Sequence, residues 1–182
     1  MSDDGVDGVG GVDGVGGVGA APGLVEVRLL DYPLDLFLRA QEHADDLIRE
    51  LTLIANSPAV EAGRSDLPGR LLEVVAQLTH QYAGVSDSAE KDRDAALDRG
   101  QTSLDLTYHV PPHMAEAVRH LGRVFDEADQ YCRAGQHLLT LATPPDALAY
   151  RHWLLEEFER QIEDGREPVP WPRSPYARAL RR

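Results

Sequence analysis

A glycine-rich run at the start of the chain is the first candidate for chemistry. Within MSDDGVDGVGGVDGVGGVGAAPG, the stretch Gly14–Gly19 (GVGGVG) has the G-x-G-x-x-G spacing of a phosphate-binding loop. Such a loop works only as a tight turn between a buried strand and a helix. Here the run is preceded by more of the same repeat and followed by Ala-Ala-Pro-Gly. We therefore predict a disordered tail over residues 1–23 and no nucleotide site within it.

Seven histidines in an acidic chain are candidate metal ligands. A carboxylate-bridged di-iron bundle needs Glu-x-x-His on two helices, and the chain contains no such pair. His109 and His113 are four residues apart, but a proline pair between them interrupts the helix that would align them. His43 and His120 fall on the polar sides of their predicted helices. We predict solvated surface histidines, no metal site and no cofactor.

Nucleophilic catalysis is the next possibility. Cys132, the one cysteine, lies on an apolar helical stripe beside Tyr131, where a thiol is usually a small core residue. The sequence has no G-x-S-x-G motif, and its carboxylate-rich run LLEEFERQIED has the spacing of a solvated helix surface. We predict no catalytic residues, and hence a protein that is not an enzyme.

Two segments stand out beyond these motifs. Charged and aromatic residues crowd a predicted helix–helix junction, where Asp129, Arg133, Arg151 and Trp153 are expected to form a polar cluster. The cluster either holds two helices in place or forms an interaction site. The segment SLDLTYHV, which contains Tyr108, is either a packed connector or an extended segment that a partner strand could pair with.

Amphipathic helices must position these residues. Apolar residues recur at intervals of three and four, which predicts helices from Pro33 to Ala55, from Leu67 to Tyr82, from Ser88 to Arg99, from the Pro111–Pro112 pair to Gly135, and from the Thr143-Pro144-Pro145 entry to about Asp164. Leu24–Leu30 is either a strand or the lead-in to a helix, and Ser103–Val110 alternates like a strand, but one strand without a clear partner is not a sheet. The predicted fold class is therefore all-α: an antiparallel bundle of four main helices plus a shorter one over residues 24–165. A Pro/Arg-rich tail follows over residues 166–182, anchored by Trp171.

The charge distribution narrows the choice of partners. The aspartates of residues 1–23 and the arginines of residues 166–182 offset each other, so the body between them carries the whole net charge of −13. Such a body repels nucleic acid and anionic lipid. No apolar run is long enough to span a bilayer, and a cytoplasmic location is the expectation. The basic residues are almost all arginine, as is typical of GC-rich genomes such as those of actinobacteria.

Four stretches carry a resemblance to a known family. They are LLDYPLDLFLRAQEHADDLIRELTLIA (Leu29–Ala55), SLDLTYHVPP (Ser103–Pro112), FDEADQYCRAGQHLLTLATPP (Phe125–Pro145) and YRHWLLEEFERQ (Tyr150–Gln161). Together they resemble a helical domain of actinobacterial anti-sigma-factor regulatory proteins. That domain is found alone or beside a kinase-like ATP-binding domain, in gene neighbourhoods that encode STAS-domain antagonists and PPM-type phosphatases. The 182 residues leave no room for the ATP-binding domain.

The resemblance implies a stand-alone regulatory or adaptor module in a partner-switching signalling system. Its expected partner is a protein, either a STAS-domain or a kinase-like regulator, and apolar strips on the bundle also allow a homodimer. The alternative is a sensor bundle for a small ligand or a metal, with His43, His120 or His152 turned inward.

Overall fold

The computed structural model describes residues 23–55, 87–133 and 143–182, together with the isolated positions 69, 72, 73 and 76. Its elements, in chain order, are β1 (Val25–Pro33), α1 (Leu34–Ala55), α2 (Asp87–Asp98), β2 (Ser103–Val110), α3 (Met114–Arg133), α4 (Pro145–Asp164), a 3₁₀ turn (Trp171–Arg173) and α5 (Pro175–Ala179). Apart from the isolated positions, the helix predicted over Leu67–Tyr82 lies outside the described residues. The predicted disordered tail also lies outside them, except for Gly23.

Local signals place the helix ends where the sequence predicts them. Helix α4 begins with Pro145, whose missing N–H costs nothing in a first helical turn, and ends at Gly165 in the left-handed conformation (φ 61°). Gly100 (φ 66°) ends α2 in the same way. The predictions for α1, α2, α3 and α4 are confirmed to within three residues at every described end; the largest difference is at α3, which begins at Met114 and not at the Pro111–Pro112 pair.

The prediction of an all-α bundle is wrong. Segments 25–33 and 103–110 pair as a two-stranded antiparallel sheet, with Val27 opposite Tyr108 and Leu29 opposite Leu106. Both segments have apolar residues at every second position, so pairing gives the sheet one apolar face. The strand-like alternation of SLDLTYHV was therefore a valid signal. Its partner is the ambiguous LVEVRLL segment, about 80 residues earlier in the chain.

A β-bulge near the end of β1 places the Tyr32 side chain in the core. The register shifts between Leu29 and Tyr32, where Asp31 adopts a positive φ of 51°. The Asp31 N–H donates to Asp105 Oδ1 at 2.8 Å, so the irregular backbone still has an acceptor. The extra residue turns Tyr32 inward, where its side chain is buried.

Helix α4 is the central element of the described fold. It packs against α1, α3, β1 and α5. Its inward side chains meet the apolar face of the sheet: Phe158 contacts Tyr108 at a ring distance of 5.2 Å, and Trp153 contacts Tyr32 at 6.3 Å. Helix α4 therefore links the sheet to helices α1 and α3.

The segment after α4 lies against the body. Trp171 packs edge-on against Trp153, with ring centroids 5.5 Å apart, which confirms its predicted anchoring role. The Trp153 indole N–H donates to the carbonyl of Val169 at 3.0 Å. Ser174 is fully buried and caps α5 by accepting from the Ala177 N–H.

Candidate functional site

A polar junction joins α1, α3 and α4. We use this name for His43, Asp126, Asp129, Thr143 and Arg151. Asp129 is only 3% exposed, and its Oδ2 lies 2.5 Å from Arg151 Nη2. The same nitrogen lies 3.0 Å from Oδ1 of Asp126, whose side chain is half-exposed. Two of the four residues of the predicted cluster, Asp129 and Arg151, are therefore paired in the structure.

Thr143 connects this ion pair to α1. Its hydroxyl lies 2.5 Å from Asp129 Oδ1 and 3.1 Å from His43 Nε2, and its backbone N–H also donates to Asp129. An ionised carboxylate can only accept, so the hydroxyl donates its one proton to Asp129. His43 Nε2 must then be the donor toward Thr143. This assigns the Nε2–H tautomer to neutral His43 and leaves its Nδ1 as an acceptor.

Burial and hydrogen bonding shift the pKa of Asp129 in opposite directions. Burial raises the pKa of Asp129, but hydrogen bonds from Thr143 and Arg151 outweigh that effect and hold the pKa below its usual value. For His43, burial lowers the pKa, and the nearby Asp129 charge only partly opposes this. Near neutral pH the Asp129 carboxyl is therefore ionised and the His43 imidazole is uncharged.

An apolar pocket of about 270 Å³ adjoins the polar junction. Three junction groups, His43, Thr143 and Arg151, form part of its wall and are bonded to one another, so the polar wall is one patch. The guanidinium lies 5.1 Å from the Phe125 ring centroid. Its Nε is buried and has no hydrogen-bond partner. The rest of the wall is mainly apolar: Phe37, Ala40, Ala44, Leu47, Phe125 and Leu154.

The two edges of the sheet differ. On the outer edge of β1, the Gln161 side-chain amide accepts from the Arg28 N–H at 2.9 Å and donates to the Arg28 carbonyl at 2.8 Å. Gln161 thus occupies the place of a third strand. In the part of the chain that the structure describes, no group is hydrogen-bonded to the edge of β2 that faces away from β1, and α2 packs against this strand.

The other residues of the predicted cluster are spread across the fold. Trp153 lies in the core at 1% exposure, on a different side of α4 from Arg151. Arg133 is exposed at the end of α3. The Tyr108 side chain lies on the inner face of the sheet against Phe158, and burial raises its pKa to about 12. The side chain of Cys132 lies outside the described residues.

The histidines also differ from expectation. His43 was predicted to be a solvated surface residue, but it is half-buried in the junction because α1 packs on α4 there. His152 lies 3.1 Å from Asp126 at the rim of the junction, and His120 is exposed.

The sequence analysis did not identify Thr143 and Gln161, whose side chains hydrogen-bond to distant parts of the chain. The Thr-Pro-Pro helix entry marks the position of Thr143 but does not indicate its partners.

Among the described residues, no group of three or more His, Cys, Asp or Glu side chains is arranged to hold a metal ion. No helix in the described ranges combines the length and apolar character needed to cross a membrane. Comparison with known proteins found no matching family model, curated protein or solved structure.

Proposed function

We propose that this protein is a non-catalytic regulatory adaptor that binds another protein through the free edge of β2. The bound segment would be an extended strand of the partner, added to the sheet by backbone hydrogen bonds. The sequence resemblance suggests a partner-switching signalling system, with a STAS-domain or kinase-like regulator as the partner.

The asymmetry of the sheet carries this proposal. Natural proteins usually cover or interrupt exposed strand edges, as Gln161 does for β1. In an antiparallel ladder, two opposite residues either bond to each other or both point away. Arg28 bonds outward to Gln161, so Thr107, which lies opposite Arg28, also directs its N–H and carbonyl outward. His109 follows by the alternation of the strand. None of these groups has a hydrogen-bond partner among the described residues, so a partner strand could pair with them.

The buried acids are engaged in structural bonds, which favours an adaptor over an enzyme. Asp129 is held by Thr143 and Arg151. Glu157, which is equally buried, accepts from the side chains of Arg160 and Gln161 and from the Val169 N–H. Their hydrogen bonds hold helices, the sheet and the C-terminal segment together.

The surface charge indicates the kind of strand that would fit. The exposed face beside the free edge carries Asp105, and Glu26 lies opposite His109. The whole chain has a net charge of −13. A partner strand with basic residues on that face and apolar residues on the other would match both faces of the sheet.

The test uses proline to block the edge. Thr107→Pro removes an N–H that makes no bond to β1, so the fold should remain intact, whereas pairing with a partner strand is lost. Purified STAS-domain and kinase-like regulators from an actinobacterium would be titrated against immobilised protein. We expect micromolar binding of one class to wild type, at least about tenfold weaker binding to Thr107→Pro, and unchanged binding to Thr107→Val.

A second variant keeps the test decisive. His109→Pro blocks the same edge at another residue and should have the same effect. Failure of both partner classes to bind wild type would overturn the proposal. So would full binding by either proline variant with a wild-type circular dichroism spectrum.

A second candidate function, a small-ligand sensor, is favoured by one observation. The apolar pocket adjoins the polar junction, and sites for small molecules commonly combine apolar walls with a few placed polar groups.

A further inference from the structure

We propose that four exposed arginines in the segment after α4 form a docking surface for a short acidic segment of another protein. The arginine patch, as we name it, consists of Arg173, Arg178, Arg181 and Arg182. None of the four belongs to β2 or to the wall of the apolar pocket. The inference is therefore independent of both candidate functions above.

The arginines of the patch lack the partners that most other arginines have. In the body of the described structure, most arginines form ion pairs with carboxylates, among them Arg39, Arg119, Arg151 and Arg160. Within the described residues, no arginine of the patch does so. The sequence after Glu167 contains no acidic residue, so the segment itself supplies no carboxylate to the patch.

Backbone carbonyls hold two of the guanidinium groups near each other. Arg178 Nη2 donates to the carbonyl of Arg173, and Arg181 Nη2 donates to the carbonyl of Pro172 at 2.6 Å. The two acceptors belong to consecutive residues of the 3₁₀ turn. Trp171 packs this turn against α4, so the guanidinium groups are positioned before any ligand binds, which lowers the entropy cost of binding.

The chemistry of the patch favours carboxylates as its ligands. A guanidinium forms charge-assisted hydrogen bonds with carboxylates, often two at once. Four like charges within residues 173–182 also repel one another, and bound carboxylates would relieve that repulsion. Leu180, which lies between two of the arginines in the chain, is 42% exposed and offers a contact to one apolar residue. A segment of Asp and Glu residues around one apolar residue therefore fits the patch.

The charge of the rest of the chain favours a short ligand over a long one. Residues 24–165 carry a net charge of −13. A nucleic acid or an anionic lipid surface extends beyond the patch and would be repelled by this acidic body. A peptide segment of a few residues can contact the patch alone, so we assign an acidic protein segment as the ligand.

A synthetic peptide tests the assignment on the full chain. The probe is Asp-Glu-Leu-Glu-Asp, blocked at both ends, and its control is the uncharged Asn-Gln-Leu-Gln-Asn. Fluorescence anisotropy with a neutral dye would measure their binding. We expect the acidic peptide to bind at about 50 mM salt and at least about fivefold more weakly at about 500 mM, since salt screens exposed charges. The uncharged peptide should not bind.

Two pairs of substitutions locate the binding surface. The double variant Arg178→Gln and Arg181→Gln should bind the acidic peptide at least about fivefold more weakly than wild type. The control variant, Arg123→Gln and Arg133→Gln, changes the net charge equally at exposed positions of α3 and should bind as wild type does.

A further variant covers a loss of folding in the first. Arg173→Gln together with Arg182→Gln removes two charges but neither side-chain bond to the backbone carbonyls, and it should weaken binding to a similar degree.

Three outcomes would overturn the proposal. The first is no binding of the acidic peptide to wild type. The second is an equal loss of binding in the α3 control, which would show that the peptide responds only to net charge. The third is tighter binding of a long single-stranded RNA, or of phosphatidylglycerol vesicles, than of the peptide. None of these outcomes bears on the β2 edge, which the proline variants test separately.

Discussion

Thr143 holds the polar junction together because its hydroxyl serves two neighbours at once. It donates to Asp129 and accepts from His43, residues of α3 and α1 that are far apart in the chain. The imidazole is kept neutral by burial, and its proton lies on Nε2. A single hydroxyl therefore links a buried ion pair to a titratable ring, and the stability of this junction should depend on pH.

The pH dependence of stability tests this arrangement. Burial lowers the pKa of His43 from its ordinary value of about 6.5, so the unfolded chain binds the proton more readily than the folded one. The contribution of neutral His43 to the free energy of unfolding is therefore complete above pH 6.5 and decreases as the pH falls below that value. The free energy of unfolding in urea, measured between pH 7.5 and 5.5, should fall more steeply for wild type than for His43→Gln.

A matched control isolates this histidine from the other six. His120 is exposed, and His120→Gln should therefore follow the wild-type pH curve. Asp129 does not contribute to the pH dependence of stability between pH 5.5 and 7.5, because its pKa lies below that of an ordinary carboxyl. Parallel curves for wild type and His43→Gln would contradict the neutral, buried imidazole.

At the scale of elements, Gln161 joins α4 to the sheet. Its amide reproduces the pair of bonds that a neighbouring strand would make to Arg28, and it also donates to Glu157. One side chain thus fixes the helix against β1 and covers that edge. The same residue explains why the two edges of a two-stranded sheet differ.

Loss of this amide should loosen the contact between helix and sheet. Gln161→Leu removes three hydrogen bonds and leaves partly buried backbone groups without partners, which should cost about 1 to 3 kcal/mol of unfolding free energy. Gln130→Leu, at an exposed position of α3, should cost no more than about 0.5 kcal/mol. Equal effects in chemical denaturation would show that the Gln161 contacts contribute little.

At the scale of the whole molecule, the C-terminal segment is part of the packed structure. Trp171 contacts Trp153 and Tyr150, and Glu157 and Trp153 bond to the backbone of Val169. An aromatic cluster thus runs from the sheet through α4 to this segment. Sequence composition alone suggested a tail after residue 165, because proline and arginine are common in segments without a core.

Removing the Trp171 ring should destabilise the whole fold. The ring is only partly buried, so Trp171→Ala should cost about 2 kcal/mol, less than a fully buried aromatic residue. Calorimetry should show a lower melting temperature, and the emission of the remaining Trp153 should shift to longer wavelength as water reaches it. Leu180→Ala is the control, because Leu180 lies at the exposed end of the segment and its loss should leave the melting temperature nearly unchanged. An unchanged melting temperature for Trp171→Ala would mean that the segment contributes no stability.

The sequence by itself determined the helices and their ends. Apolar periodicity and the signals at Pro145, Gly100 and Gly165 act within a few residues, so they can be read locally. The spacing of two residues in the sequence also argued against the predicted polar cluster. Arg151 and Trp153 are two apart on a helix and point in different directions, so they could not share one cluster.

The tertiary structure alone decided the sheet and the polar junction. Val27 meets Tyr108, and His43 meets Thr143, across 81 and 100 residues of chain. Alternation shows that a segment can be a strand, but register and partner depend on how the helices pack. His43 shows the same limit, since a polar position on an isolated helix becomes buried once α4 lies beside it. Local patterns specify elements, whereas their contacts arise from packing between distant parts of the chain.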